Sequence, residues 1–571
     1  MDDVTRAVLG KVGLEEPWGL VEAFAGQPRE NPDDANRGAD LIVERLRRYG
    51  LPVTVHQPEI YLSLPIHAEV RVGDRVFAGK PPAFAASRPD GVRAPLLYLA
   101  AAAGGDSPLD RDPQAPGPEV AGKVVIIEGF ALPNFVAGLE AAGAAAVIAV
   151  NPGLRIHWGT VSTIWGTPEP EDLARLPRIP SAAVNQADGQ ALIALAASGA
   201  EATVATRLET GWFMQKLPVV EIEGTDEPDA FVLVHGHYDS WREGVGDNGT
   251  GNACMLEVAR VLWAGRDRLK RSVRLAWWPG HSTGRYAGSA WFADTFAQDL
   301  TDHCIVHMNC DSPGCRWATS YGSINATAEC ETALKTIVRD ATGQETTAKR
   351  PQRNSDYTFN NIGISACLSA SSMMPPEALA EHGYYVVGGC GGNIAWHTED
   401  DTLEIADRDV LKKDIELYTT AVLHFANALV VPIDWRLTAA EFEATIGRYQ
   451  EAAGGRFDLG PSRTALAELS AALDRFYGAI EAGSIAAGAA NAAIRDLARI
   501  LVPINFTRGP RFQHDPALNI PQLPTIEPAL RLGSHDGATL GFAKAQLMRG
   551  QNRLVAALRE ATRRIERVAV R

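Results

Sequence analysis

Four short stretches carry residues of metal-ligand type, each following an apolar run or a glycine-rich turn. "LVHGHYDSW" offers His235, His237 and Asp239, and "GVGDNGTG" offers Asp247 in a loop that opens a helix. "HMNCDSPG" offers Asp311, and "IAWHTEDDTLE" offers His397 ahead of an acidic cluster. Imidazole and carboxylate in such a mix suit zinc or a similar divalent ion. A bridging carboxylate can hold two ions about 3.5–4 Å apart, and bound metal brings the pKa of water to about 7. Asp239 follows His237 by two residues, on the same side of an extended chain, and can orient that imidazole. A lone histidine after a strand is more often structural, but four such ends in this order are hard to assign to chance. A fifth stretch, "WWPGHSTGRYAGS" (277–289), stops an apolar run at Gly280 and continues with His281 and Ser282 but no carboxylate.

The elements around these residues read as an α/β chain. Residues 16–49 have a helical apolar period, with Asn31 and Asp33 as caps and Gly50 as a stop, and "LPVTVHQ" then reads as a strand. From about residue 215 the strands are long and fully apolar: "AFVLVHGH", "SVRLAWWPG" and "CIVHMNCD", with a helix between the first two. That pattern predicts a mostly parallel sheet covered on both faces, with ligands beyond the carboxyl ends of its strands. Residues 58–210 have a different texture, with short alternating strands, Pro and Gly turns and Ala-rich helices. They read as a β-rich domain inserted between 1–57 and 211–430. Residues 431–571 read as a helical domain with an irregular segment around "GPRFQHDPALNIPQ".

The chain has 571 residues, 46% hydrophobic and 22% charged, with a formal net charge of −15 and no long basic run. The length predicts several domains, and the charge argues against nucleic acid or an anionic membrane as partner. The acidic start lacks the regions of a signal peptide, and no run approaches the roughly 20 apolar residues that span a bilayer. The expectation is a soluble, cytoplasmic protein. The seven cysteines form no CxxC and read as reduced thiols in the core.

The order H-x-D, G-D-N-x-x-G, C-D-S-x-G and H-T-x-x-D-T resembles the zinc aminopeptidase and glutamate carboxypeptidase superfamily. "NSDYTFNNIGIS" (354–365) is similar to that family's S-D-x-x-x-F…G-I segment. "GKVVIIEG", "AAGAAAVIAVN" and "IPSAAVN" resemble its protease-associated insert, and the C-terminal region resembles the helical dimerisation domain of its transferrin receptor branch. The resemblance implies a zinc-peptidase-like catalytic domain and a homodimer. It implies that His237, Asp247 and Asp311 hold one metal, that Asp247 bridges to a second held by His397, and that Asp239 supports His237.

The family carries two adjacent glutamates at the third strand end, one the general base and the other a metal ligand. Here His281 and Ser282 stand there, in a loop one residue longer. The second metal position thereby loses an anionic donor, so one or two ions are both open. His281 can replace the base, because histidine titrates near neutral pH, or can itself bind metal. Glu243, Glu399, Asp400 and Asp401 rank behind it. Arg353, Tyr357 and Trp396 are candidate substrate contacts, with Tyr238, Trp241, Trp317 and Arg316 beside them; Arg511 and His514 are candidates because the resemblance places them where the family's helical domain approaches the active site. The expected function is a metal-dependent hydrolase of an amide or peptide-like bond in a small molecule or short peptide, with atypical His281. The alternatives are a catalytically impaired binding protein on a peptidase scaffold, or a lyase-type reaction at one metal ion.

Overall fold

The computed structural model describes residues 1–100, 116–352, 357–369 and 372–569. Its larger sheet has eight strands, in the order Val53–His56, Leu217–Ile222, Arg271–Trp278, Glu227–His237, Cys304–Asn309, Ser365–Ser369, Ser323–Ala326 and Thr347–Lys349. The four central strands run parallel, and the next strand on each side joins them antiparallel; the outermost strand pairs antiparallel at one edge and parallel at the other. The sheet is therefore mixed, with a parallel core. The Glu227–His237 strand is buried from Ala230 to His237, as a strand covered on both faces must be. Register places His237 opposite Trp278, and His235 opposite Asn309. The segments that leave these strands therefore emerge together: His237, the 279–286 loop and Asp311.

Helices Glu15–Ala25, Pro32–Arg48, Thr250–Trp263 and Arg408–Asn427 pack with this sheet in one apolar core. The continuous helix expected over 16–49 is two helices. Gly26 ends the first, and Asn31 caps the second by accepting from the Asp34 N–H. Pro28 between them has no N–H to give a helix. The same core continues into the C-terminal helices Trp435–Ala453, Gly460–Glu481, Ala487–Phe506 and Gly537–Ala569. No helix among the described residues is long and apolar enough to cross a membrane.

A second, seven-stranded sheet runs Arg75–Gly79, Glu59–Val72, Glu201–Met214, Arg88–Leu99, Val124–Glu128, Ala146–Val150 and Ser181–Val184, with apolar clusters of its own. Two of its segments reach the larger sheet's strand ends. The Ser63 N–H donates to Thr283 O (2.8 Å), and the Trp158 N–H donates to His397 O (2.9 Å).

Candidate functional site

Asp247 lies at the centre of the site. One of its carboxylate oxygens is 3.0 Å from His237 Nε2 and the other 3.0 Å from His397 Nε2. Asp311 Oδ1 lies 3.7 Å from the same His237 nitrogen. The four residues predicted as ligands are thus brought together. Each imidazole is fixed from behind: His237 Nδ1 is 2.9 Å from the Asp239 carbonyl oxygen, and His397 Nδ1 is 2.9 Å from that of Trp158. A carbonyl only accepts, so both rings carry their proton on Nδ1 and turn Nε2 inward. His237 Nε2 is buried and has no hydrogen-bond partner among the described residues.

Two imidazole lone pairs facing one carboxylate repel it unless a cation or a proton lies between. Burial alone would lower the His237 pKa, but Asp239, Asp247 and Asp311 outweigh it and raise it well above the usual imidazole value. Asp247 shows the converse: burial would raise it, and His237 and His397 hold it well below the carboxylate range. The donor set and the orphaned nitrogen fit a divalent ion. His237, Asp247, Asp311 and His397 are the side chains placed to hold metal, and His281 brings a ligand atom within 4.8 Å of those of His237 and Asp311.

The Asp247 loop is built by its neighbours. Gly244 has φ +49°, and a Cβ there would lie 2.4 Å from Asp247 O, so the turn requires glycine. Asp401 accepts from the N–H groups of Gly246 (2.6 Å) and Asp247 (2.9 Å). Burial pushes Asp401 up to about 7, against the ionising influence of those N–H donors. Asn248 donates to His237 O (3.2 Å) and Cys310 O (2.9 Å) and accepts from the Ser312 N–H (3.0 Å), tying two strand ends to the Asp247 loop. Motif spacing included Asn248 but said nothing of this role.

Arg29 carries no signal in the sequence that links it to the site. It is fully buried and donates to Tyr238 O (2.7 Å) and Gly244 O (3.0 Å). Burial lowers its pKa to about 10, while Asp401, Asp239 and Asp247 favour its charge. Arg29→Met would leave Tyr238 O without its Arg29 donor and Gly244 O with the Gly249 N–H alone, at an expected cost of about 2 kcal/mol. Urea unfolding of the two proteins measures this, and equal midpoints would contradict the bracing role.

His281 stacks on His237, with centroids 3.9 Å apart and planes 14° from parallel, and meets the Tyr286 ring edge-on at 4.8 Å. Its backbone N–H and that of Ser282 donate to the two carboxylate oxygens of Asp239, at 3.0 and 3.1 Å. The role expected of Asp239 is therefore divided. Its carbonyl orients His237, while its carboxylate holds the 281–282 turn and sits 3.7 Å from His237 Nδ1. Gly280, at φ +66°, starts this turn against Leu62, and Ser289 anchors its end through Tyr286 O and Thr358 Oγ1.

His235 does not join the site. It faces the same way as His237 but one pleat deeper, where its Nε2 lies 3.1 Å from His307 Nδ1. Trp396 stacks on His397 at 3.7 Å and so stands at the site. Tyr357 is buried, and its hydroxyl donates to Phe506 O (3.2 Å). Arg511 donates to Ile362 O (2.9 Å) and lines a cleft with Glu227, at the end of the strand opposite His237, so it is not brought to the site. His514 pairs with Asp294 at 2.9 Å and Asn361 at 3.3 Å. Arg353 lies outside the described residues. Tyr238 is fully buried and Trp241 nearly so, whereas Trp317 is exposed.

Residues 219–422 match the model of peptidase family M28, and residues 92–192 match that of the PA domain. Residues 219–422 are thus a peptidase family M28 domain, and a PA domain lies ahead of it in the chain. It is 33% identical over 120 residues to aminopeptidase NAALADL1 of Mus musculus, covering 20% of this chain and 16% of that protein. It is 28% identical over 149 residues to transferrin receptor protein 1 of Gallus gallus, covering 25% and 18%. Aminopeptidase YwaD of Bacillus subtilis (strain 168) is 24% identical over 259 residues, covering 43% and 51%. The matched segments thus span about half or less of each relative. The solved aminopeptidase from Aneurinibacillus sp. strain AM-1 shares the fold, with a TM-score of 0.54 at 19% identity, over 74% of this chain and 95% of that one.

Proposed function

We propose that this chain is a zinc-dependent, aminopeptidase-like hydrolase of amide or peptide-like bonds in which His281 replaces the family's glutamate base. One observation carries the reading: a single buried carboxylate, Asp247, lies between two imidazoles that both turn Nε2 toward it. A bound divalent ion supplies Lewis acidity there, polarising a carbonyl and acidifying water. The side chains do the rest. Asp239 fixes the 281–282 turn, His281 takes the proton of the attacking water on a ring nitrogen, and it returns that proton to the leaving amine. Trp396 offers an apolar wall beside His397 for a small-molecule or short-peptide substrate. The homodimer expected from the resemblance of the C-terminal helices is part of this proposal, and light scattering on the eluting protein tests it.

The test is hydrolysis of an aminoacyl-amide and dipeptide set by zinc-loaded protein, with and without chelator. Chelator-sensitive products heavier by one water support the proposal. Full zinc with no turnover would favour the binding-protein alternative, and products without added water would favour the lyase alternative. A specific observation also favours a second role for His281. Ligand atoms of His237, His281 and Asp311 all lie within 4.8 Å of one another, so His281 can bind the ion directly.

Zinc affinity should depend on pH. The carboxylates that raise the His237 pKa favour a proton on this ring in competition with an ion, which must displace it. Affinity is therefore expected to fall as pH falls, by about tenfold per unit for one proton released. Calorimetric titrations at pH 6 and pH 7 measure this, and equal affinities would contradict it.

A further inference from the structure

The segment 396–400, which carries His397, is gripped by the inserted domain at every residue but Thr398. His157 Nδ1 donates to Trp396 O (2.6 Å), and its Nε2 accepts from the Tyr385 hydroxyl (2.8 Å). Trp158 bonds His397 twice, accepting from the ring Nδ1 on its carbonyl and donating its N–H to His397 O, both at 2.9 Å. Lys80 Nζ lies 2.7 Å from Glu399 Oε1. Arg155 makes a two-pronged pair with Asp400, both bonds 2.8 Å. Lys80 also donates to Ile156 O (2.6 Å) and lies over the Trp158 ring at 3.2 Å, so it braces the gripping loop from within.

These contacts converge on one imidazole. His397 has φ +57°, a strained backbone that its surroundings must hold. The partner that fixes its tautomer is a backbone carbonyl of the inserted domain. We propose that Lys80, Arg155 and His157 are positioning residues of the metal centre: they seat the Trp158 backbone on His397 and so aim its Nε2 at Asp247. The inserted domain is then a working part of the site rather than only a cover over it. The inference rests on the reading above, in which His397 is a metal ligand.

The contacts differ in weight. The Arg155–Asp400 pair is about half exposed on both sides, with side-chain exposures of 56% and 50%, so alone it contributes little. His157 is buried at 3% exposure, and losing it leaves Trp396 O without its donor. Removing a partner that orients a metal-binding imidazole typically weakens metal affinity about 10- to 100-fold.

The experiment is a zinc competition titration against a fluorescent chelator on the full chain, with melting temperature read alongside. His397→Ala is the reference. His157→Leu is expected to weaken zinc about 10- to 100-fold, and Lys80→Met with Arg155→Met about tenfold. Exchanging the charges, Arg155→Asp with Asp400→Arg, should keep affinity within a few-fold of the parent where Arg155→Asp alone does not. Should His157→Leu fail to fold, the double variant at the partly exposed pairs decides. If His397→Ala weakens zinc but the folded positioning variants stay within twofold of the parent, the inference is overturned and the metal centre stands. If His397→Ala itself leaves zinc binding intact, the underlying reading falls with it. A lower melting temperature at unchanged zinc affinity marks a purely structural contact and also overturns the inference.

Discussion

Asp247→Asn is expected to abolish zinc binding and reduce hydrolysis to background. Among the described residues this carboxylate is the one that faces both imidazoles, and the amide replaces an anionic oxygen with a donor that cannot bind a cation. The loss should exceed the roughly 100-fold that follows removal of an outer hydrogen-bond partner. The fold should survive. Asp401 holds the loop through the backbone N–H of residue 247, which the substitution keeps. Metal content by mass spectrometry and a calorimetric titration measure the effect. Stoichiometric zinc at unchanged affinity would contradict the arrangement.

The second large effect is expected at His281. His281→Ala should lower kcat by about 10²–10⁴, the usual worth of a positioned general base, while zinc affinity and KM change little. The backbone N–H that donates to Asp239 is retained, so the turn should keep its course. The same variant separates the two roles for this residue. If His281 is a ligand, zinc affinity falls together with kcat, and the proximity of His237, His281 and Asp311 ligand atoms would be the cause. An unchanged kcat would remove His281 from the chemistry altogether.

The residues that bind were more legible in the sequence than the residues that hold them. His237, Asp311 and the 279–286 loop follow apolar strands, and parallel register brings such ends together without further information. Asp247 was legible through its glycine-rich turn, where Gly244 leaves no room for a side chain. Arg29 and Trp158 were not. They act on or through backbone carbonyls, and Trp158 meets His397 from another domain, so neither residue type nor spacing marks them. His235 was misleading because strand alternation gives its face but not its depth. Arg511 entered by family analogy, and a resemblance in helical segments does not say which end of the sheet they cover. The mixed character of the sheet lay in short flanking strands such as Val53–His56 and Ser323–Ala326, whose direction depends on pairing partners.

The most direct test of the account is a crystal structure of zinc-soaked protein with anomalous scattering recorded at the zinc edge. A peak bonded to His237 Nε2, an Asp247 oxygen and Asp311 is expected, with or without a second at His397. This arrangement would be contradicted by an empty pocket at saturating zinc, or by a peak that none of these four side chains touches.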